Sequence, residues 1–257
     1  MKVLVIPDTQ VRPGVQTDHL SWIGQYAADK RPDVIVHLGD HWDMPSLSVY
    51  DKRGGKAMEG RRYARDVEAG NDAWAELDGP MVGRGWKPRK ILLRGNHEQR
   101  IERAIEANPT ELDGCIGYGD LESPGWEVHD FLAPVWVGGV CFSHYFYNQN
   151  TGRPLGSAVP TRLKTIGHSF VMGHQQGLHQ GIRETLQGRQ RGLVAGSCYL
   201  HSEAYRGPQA SNEWRGVLML HEVKDGDYDL MEVSLNYLCR EYEGRTLKQF
   251  TRGRLGR

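Results

Sequence analysis

The chain has 257 residues with 32 basic and 32 acidic side chains, so its formal net charge is zero. This balance excludes a globally basic nucleic-acid-binding protein, although local basic patches have to be judged separately. Hydrophobic residues make up 39% of the chain and charged residues 25%, which is typical of a globular protein and excludes a disordered one.

The cysteine pattern and the absence of long apolar runs predict a soluble cytoplasmic protein. The four cysteines have long spacings and form no C-x-x-C pair, which is typical of a reduced, intracellular chain. The apolar residues 1–6 stop at Pro7, which is too early for a signal peptide. No run approaches the roughly 20 apolar residues that a membrane span needs. We therefore expect no membrane partner.

The first part of the chain alternates predicted strands and helices. The predicted strands span residues 2–6, 33–38 and 90–93, and the predicted helices span 18–28, 58–77 and 98–107. Gly- and Pro-containing loops are expected at 44–56 and 78–88. This alternation favours a parallel sheet.

After residue 126 short predicted strands follow one another. They span residues 135–137, 140–143, 169–172, 192–195, 216–223 and 228–233. Their spacing predicts a second, mostly antiparallel sheet stacked on the first. We expect a single domain over residues 1–239, followed by a mobile basic tail over residues 240–257.

Five short polar clusters occur in order along the chain. They are Asp8-Thr9-Gln10, Gly39-Asp40, Gly95-Asn96-His97-Glu98, Ser143-His144 and Gly173-His174-Gln175-Gln176. Three of them directly follow a predicted buried strand, and strand ends in an α/β fold aim side chains at a shared cleft. Two-metal hydrolysis of phosphoesters requires a bridging carboxylate and further ligands from separate segments. The ordered set predicts such a site, with Asp40 as the natural bridge.

The five clusters resemble the pattern of the calcineurin-like metallophosphoesterase superfamily, which is D-x-H, G-D, G-N-H-[DE], a later H, and G-H-x-H. Segments 44–48 and 172–177 resemble the phage-encoded branch of that superfamily. The resemblance implies an α/β (α+β) fold of the four-layer type. Two mixed sheets would form a β-sandwich flanked by helices, with a dinuclear metal site at the strand ends.

The resemblance also implies a ligand set of seven residues. These are Asp8, Gln10 and Gln176 for the first ion, Asn96, His144 and His174 for the second, and Asp40 as the bridge. In the implied reaction a metal-bridging hydroxide attacks phosphorus and His97 protonates the leaving oxygen. Arg100 would reach a substrate phosphate.

Three residues that follow Asp40 are weaker candidates. His41 would orient a ligand or contact substrate, and Trp42 would stack on a base or sugar. Asp43 would support a metal ligand from behind.

The chain departs from the family pattern at Gln10 and Gln176, where histidine is usual. The first ion would then have only oxygen ligands, which suit Mn²⁺ and Mg²⁺ better than Zn²⁺. The second ion keeps two histidines, which suit Mn²⁺, Fe²⁺, Ni²⁺ or Zn²⁺. We expect two divalent ions, with Mn²⁺ favoured and the first ion held more weakly. His179 and His201 are alternative ligands.

Three segments are locally basic. Residues 51–65, 84–103 and 240–257 contain six, seven and six basic residues, each against two acidic ones. Such patches favour a polyanion such as DNA or RNA, although they are also compatible with ordinary solvated faces. We expect a phosphodiesterase or nuclease. The alternatives are a phosphomonoesterase acting on a nucleotide, protein or small phosphate, and an inactive binding module with a decayed metal site.

Overall fold

The computed structural model describes residues 1–50, 55–156, 158–202 and 213–255, apart from the side chains of residues 57 and 253–255. The strands are β1 Val3–Ile6, β2 Val34–His37, β3 Arg89–Leu93, β4 Glu127–His129, β5 Val135–Val137, β6 Val140–Ser143, β7 Phe170–Met172, β8 Leu178–Thr185, β9 Gly188–Ala195, β10 Gly216–Lys224 and β11 Asp227–Ser234. The helices are α1 Asp18–Lys30, α2 Tyr63–Asp78, α3 Arg100–Ala107, α4 Pro109–Leu112, α5 Val159–Ile166, α6 Leu235–Glu243 and α7 Leu247–Leu255.

The strands form two mixed sheets. The first has the order β11-β10-β1-β2-β3-β4, with β1 to β4 parallel and β10 antiparallel to both of its neighbours. The second has the order β5-β6-β7-β9-β8, in which β6, β7 and β9 are parallel and the two edge pairs are antiparallel. Two mixed sheets were expected.

The expectation that the second sheet is mostly antiparallel is wrong, because half of its pairings are parallel. Strands β10 and β11 were expected in that sheet but extend the first one beside β1. Strands β4 and β8 had no predicted counterpart. Strand β8 is polar and has no buried residue, so it has little of the apolar pattern that marks a strand.

Alternating side chains of the first sheet separate two cores. Leu4 and Ile6 face helices, where they pack in the same cluster as Ile23 and Trp74. Val3 and Val5 face the second sheet and belong to a different cluster. Since successive residues of a strand point to opposite faces, β1 is buried on both sides. A third cluster packs α5 on the outer face of the second sheet, which completes four layers.

Several helix boundaries differ from their expected positions. Helix α2 begins at Tyr63 and not at residue 58, because Gly60 adopts a left-handed backbone with φ of +74°. Helix α6 crosses the expected boundary at residue 239. The next helix, α7, places the buried Phe250 ring 5.0 Å from the ring of Trp22. The expectation of a mobile tail is therefore wrong for residues 240–255, the part of the tail that the structure describes.

Residues 51–54 of the first basic segment and residues 256–257 of the expected tail lie outside the described residues. Within the described chain, no helix combines the length and the apolar character that a membrane crossing requires.

Candidate metal centre

Four side chains from separate strand ends meet at one point. The Nε2 atom of His144 lies 2.9 Å from Oδ1 of Asn96 and 3.4 Å from Oδ2 of Asp40. The Nδ1 atom of His174 lies 2.8 Å from the same Asn96 oxygen. Ligand atoms of Asp40, His144 and His174 all lie within 4.8 Å of one another. This mixture of imidazole and oxygen donors fits a divalent transition-metal ion.

The hydrogen bonds of His144 favour a cation at that point. Its Nδ1 atom lies 2.8 Å from the carbonyl oxygen of Leu38, a group that can only accept. In the neutral ring Nε2 then carries a lone pair and faces the oxygens of Asn96 and Asp40, which also offer lone pairs. Although burial disfavours the charged ring, the charge of Asp40 raises the pKa of His144 to about 9. A bound metal ion can take the place of that proton.

Asp8 is a second group whose surroundings fit a bound cation. Its Oδ1 atom accepts a hydrogen bond from the backbone N–H of His174 at 3.1 Å. Its Oδ2 atom is buried and has no hydrogen-bond partner among the described residues. Burial, with an addition from the charge of Asp40, raises the pKa of Asp8 to about 7. An orphaned carboxylate oxygen beside a second carboxylate fits a cation that neutralises both.

The two glutamines lie together beside Asp8 and Asp40. The Nε2 atom of Gln176 donates to Oε1 of Gln10 at 3.4 Å, and both side chains are buried. The Oε1 atom of Gln176 accepts a hydrogen bond from the hydroxyl of Tyr199 at 2.8 Å. The backbone N–H of Gln10 donates to the carbonyl of Asp40 at 2.8 Å, which joins the two loops. This side of the centre therefore offers amide and carboxylate oxygens, which are ligands for a hard ion.

The ligand loops have an unusual backbone. Gln10, Asp40 and His174 all adopt the left-handed region, with φ values of 43°, 51° and 64°. This region costs a residue other than glycine on the order of 1 kcal/mol or more, and it is concentrated at functional sites. The surrounding contacts must therefore hold these three residues in place.

The Glu98 carboxylate holds the loop that carries Asp40. Its Oε2 atom accepts from the backbone N–H groups of Asp40 at 3.0 Å and Gly95 at 2.7 Å. Its Oε1 atom accepts from the N–H groups of His41 at 2.6 Å and Trp42 at 3.0 Å. Sequence reasoning gave Glu98 no role beyond its place in the G-N-H-[DE] motif. Helix α3 begins only at Arg100, because residues 96–99 form a turn around this carboxylate.

Gly95 makes room for Asp40. A Cβ atom at this position would lie 2.1 Å from Oδ1 of Asp40 and 2.4 Å from its backbone nitrogen. Any side chain here would therefore displace the expected bridging carboxylate. This close approach explains the glycine that precedes Asn96 in the motif.

His97 lies between Asp40 and Asp43. Its Nε2 atom lies 3.7 Å from Oδ2 of Asp40, and its Nδ1 atom lies 2.6 Å from Oδ1 of Asp43. Although burial disfavours its charged form, the charge of Asp40 and the contact with Asp43 raise the pKa of His97 above its usual value. Asp43, which the sequence indicated as support for a metal ligand, contacts His97, and its supporting role stays a prediction.

Arg100 contacts the same loop. Its Nη1 atom donates to the carbonyl of Asp43 at 2.6 Å and lies 3.7 Å from Oδ1 of that residue. Its contact with a substrate phosphate stays a prediction.

Burial corrects the expectation that His41 and Trp42 contact substrate. Both are 0% exposed. The imidazole of His41 bridges Oγ1 of Thr9 at 2.8 Å and the carbonyl of Gly70 at 3.0 Å. Trp42 stacks on Trp74 with ring centroids 5.3 Å apart, and the missing side chain at Gly70 leaves space for the Trp42 ring. These two side chains support the metal-binding loop from the core.

The two alternative histidines lie in other surroundings. His179 is exposed on β8, and His201 stacks on Tyr199 with ring centroids 4.6 Å apart. The hydroxyl of Tyr199 also contacts Gln176, so His201 lies near the expected site of the first ion, and its role as a ligand stays a prediction.

The basic segment 84–103 is partly neutralised. Three of its cations pair with acids, namely Arg89 with Glu127 at 2.8 Å, Lys90 with Asp78 at 2.7 Å, and Arg94 with Asp130 at 2.6 Å. Arg103, by contrast, is exposed and donates to the neutral Gln99 side chain at 3.0 Å. The segment therefore offers fewer unpaired cations than its composition indicates.

Comparison with known proteins agrees with this geometry. A family model described as Calcineurin-like phosphoesterase matches residues 1–186. The Gene 54 protein of Mycobacterium phage L5 is 27% identical over 196 residues, which cover 71% of this chain and 71% of that protein. The Gene 54 protein of Mycobacterium phage D29 is 26% identical over 199 residues, with the same coverage of both chains.

Proposed function

Because the chain belongs to the calcineurin-like phosphoesterase family, whose members hydrolyse phosphoesters with divalent metal ions, we propose that it is a phosphodiesterase or nuclease acting on nucleic acid. We also propose that residues 1–239 form the catalytic domain, with the rest of helix α6 and helix α7 packed against it, and that the enzyme works in the cytoplasm of the host cell. All four cysteines are free, which supports a reducing compartment.

Exposed groups beside the metal centre support a nucleic-acid substrate. The ring of Tyr145 lies 4.8 Å from the ring of His174. Burial raises the pKa of Tyr145, while the charge of Arg103 lowers it and that of Tyr50 raises it, so both residues lie within electrostatic range of Tyr145. Tyr50 is 85% exposed. An exposed cation and an exposed aromatic ring suit a backbone phosphate and a base.

The residues of the chain take separate roles in the proposed reaction. When bound, two divalent ions would lower the pKa of water toward about 7 and offset charge on the phosphoryl oxygens. Asp8, Asp40 and the amide and imidazole ligands would hold those ions. Asp43 would fix His97 through the 2.6 Å contact at Nδ1, and Nε2, which lies on the side of Asp40, would carry the proton for the leaving oxygen.

We propose Mn²⁺ as the preferred metal. The support is the expected donor set, in which Asp8, Gln10 and Gln176 would provide oxygens and His144 and His174 would provide nitrogens. Oxygen donors select harder ions than a histidine-rich site does. The first ion should also exchange more readily than the second.

A substrate panel tests the proposal. The Mn²⁺-loaded protein would be incubated with bis-nitrophenyl phosphate, nitrophenyl phosphate, and labelled single- and double-stranded DNA and RNA. We expect cleavage of the diester and of nucleic acid, with rates that fall steeply as salt increases. Turnover of the monoester alone would contradict the proposal. No hydrolysis of any substrate with any metal would favour the inactive binding module.

Arg103 provides a sharper version of this test. Arg103→Gln should weaken DNA binding uniformly across sequences and reduce the salt slope by about one. The matched control is Arg84→Gln, which removes an exposed cation from the loop that precedes β3. Equal effects of the two substitutions would show that Arg103 acts only through net charge.

The second candidate is a phosphomonoesterase. The specific observation that favours it is the pairing of Arg89, Lys90 and Arg94 with acids, which removes much of the expected polyanion patch. A small phosphate needs only the metal centre and one or two cations. The substrate panel separates this candidate from the first.

A further inference from the structure

A cavity of about 370 Å³ adjoins the metal-binding loop. It lies between the N-terminal end of α5 and strand β8, and its lining includes Val159, Arg162, Gln175, His179 and Gln180. Gln175 stands between His174 and Gln176 in the chain. The wall of the cavity and the candidate metal centre therefore share one loop.

Arg162 is a buried cation in this wall. It is 2% exposed and donates only to neutral acceptors. Its Nε atom donates to the carbonyl of Leu155 at 2.9 Å, and its Nη2 atom donates to Oε1 of Gln175 at 2.9 Å. Its Nη1 atom lies 3.7 Å from Sδ of Met172, a weak acceptor. A guanidinium group has five N–H donors, so two remain for another acceptor.

The charge of Arg162 lacks an acidic partner in the described part of the chain. No carboxylate lies within 4.0 Å of its guanidinium group there, whereas Arg12 pairs with Asp43 at 2.8 Å. Burial lowers the pKa of Arg162, but a guanidinium group stays charged in proteins. A buried charge without a partner is costly, so this position attracts an anion.

The cavity has further features of an anion site. Gln175 and Gln180 carry amide donors, and the exposed His179 carries a ring nitrogen. The forked donors of a guanidinium group match the geometry of a phosphate.

We propose that the cavity at Arg162 binds a second phosphate of the substrate, next to the phosphate that is hydrolysed at the metal centre. This inference rests on the proposed diesterase function. It would explain why a chain with zero net charge buries an unpaired arginine beside its metal-binding loop. It also predicts a preference for substrates that carry a phosphate on the nucleotide adjacent to the scissile bond.

The kinetic test compares matched substrates. The Mn²⁺-loaded full chain would be given thymidine dinucleotides with a 5′ phosphate, with a 3′ phosphate, and with neither. We expect one terminal phosphate to raise kcat/KM by about 10- to 100-fold, the range for a charge-assisted contact. In Arg162→Met, the ratio of kcat/KM with the terminal phosphate to kcat/KM without it should fall to about one. The control Lys164→Met removes an exposed cation of the same helix and should keep the ratio.

A second variant covers the case in which Arg162→Met fails to fold. Gln180→Glu places a carboxylate at an exposed position of the cavity lining, where it would neutralise Arg162 and repel phosphate. It should also abolish the preference. An unchanged ratio in either folded variant would overturn the proposal, as would a wild-type protein that cleaves all three dinucleotides equally.

A binding measurement separates this proposal from the proposed function. Equilibrium binding of labelled inorganic phosphate to the Mn²⁺-loaded chain should give one more phosphate per wild-type chain than per Arg162→Met chain. If no dinucleotide is cleaved but this difference is found, the diesterase function fails and the cavity is a site for free phosphate. That result would also overturn its role as a substrate subsite. Equal phosphate binding by both chains would overturn the anion site itself.

Discussion

Replacing Glu98 with glutamine tests how the loop that carries Asp40 is held. The Glu98 carboxylate accepts four backbone N–H groups at 2.6–3.0 Å. Glutamine keeps one oxygen and turns an amide group, which is itself a donor, toward the other two N–H groups. Two buried donors then lose their acceptor.

The cost of this change can be estimated from the structure. Each buried donor without an acceptor costs about 1–3 kcal/mol, so two cost roughly 2–6 kcal/mol. The substitution also removes the repulsion between the charges of Glu98 and Asp40, which offsets part of the loss. After this offset, we expect the free energy of unfolding to fall by more than about 1 kcal/mol. Mn²⁺ affinity should fall as well, because Asp40 holds a left-handed backbone only while this loop is fixed.

Urea unfolding and equilibrium dialysis with Mn²⁺ measure the two effects. The matched control is Glu106→Gln, which removes the same charge from an exposed position of α3. The free energies of unfolding of Glu98→Gln and of this control are compared. If they differ by less than about 1 kcal/mol, which is usual for surface substitutions, the Glu98 carboxylate does not hold the loop. Unchanged Mn²⁺ affinity of Glu98→Gln would refute the claim that the hydrogen bonds of Glu98 support metal binding.

Three further predictions concern a proton donor, a buried histidine and a glycine. His97→Ala should keep bound metal but hydrolyse substrates with poor leaving groups about 10²- to 10⁴-fold more slowly, with nitrophenyl substrates slowed least; equal losses in steady-state kinetics would contradict proton donation. The Nε2 atom of His19 lies 2.9 Å from the carbonyl of Cys198, and burial lowers its pKa to about 3. Because the unfolded chain then binds the additional proton, stability should fall by up to about 1.4 kcal/mol per unit as the pH drops from about 6.5 toward 3. His19→Gln should flatten that slope in urea titrations at several pH values, and an unchanged slope would show that other groups cause it. Gly95→Ala would bring a Cβ atom within 2.1 Å of Oδ1 of Asp40 and should abolish Mn²⁺ retention in dialysis, whereas normal retention would mean that the loop adapts.

The sequence was sufficient to predict which polar clusters meet. Asp40, Asn96, His144 and His174 lie close together, as their positions after predicted strands indicated. Alternating strands and helices form a parallel sheet, in which the carboxyl ends of the strands lie at one edge. This alternation can be predicted because it depends mostly on the local sequence pattern. Two mixed sheets flanked by helices were predicted from the family resemblance, whereas the local pattern indicated one parallel and one mostly antiparallel sheet.

Features that depend on distant packing were not predictable from the sequence. Trp42 follows a ligand and looks available for stacking, but helix α2 presents Gly70 where the indole ring packs into the core. Nothing in the sequence near residue 42 indicates that contact. Arg162 was missed for the same reason, since its cavity depends on the polar strand β8.

Anomalous scattering from crystals soaked in Mn²⁺ tests the metal centre most directly. The structure predicts one peak within about 2.0–2.3 Å of Oδ1 of Asn96, Nε2 of His144 and Nδ1 of His174. A second peak is expected about 3.5–4 Å away, beside Oδ2 of Asp8, with the Asp40 carboxylate between the two. Peaks elsewhere, or no peak among these side chains at saturating Mn²⁺, would contradict the account.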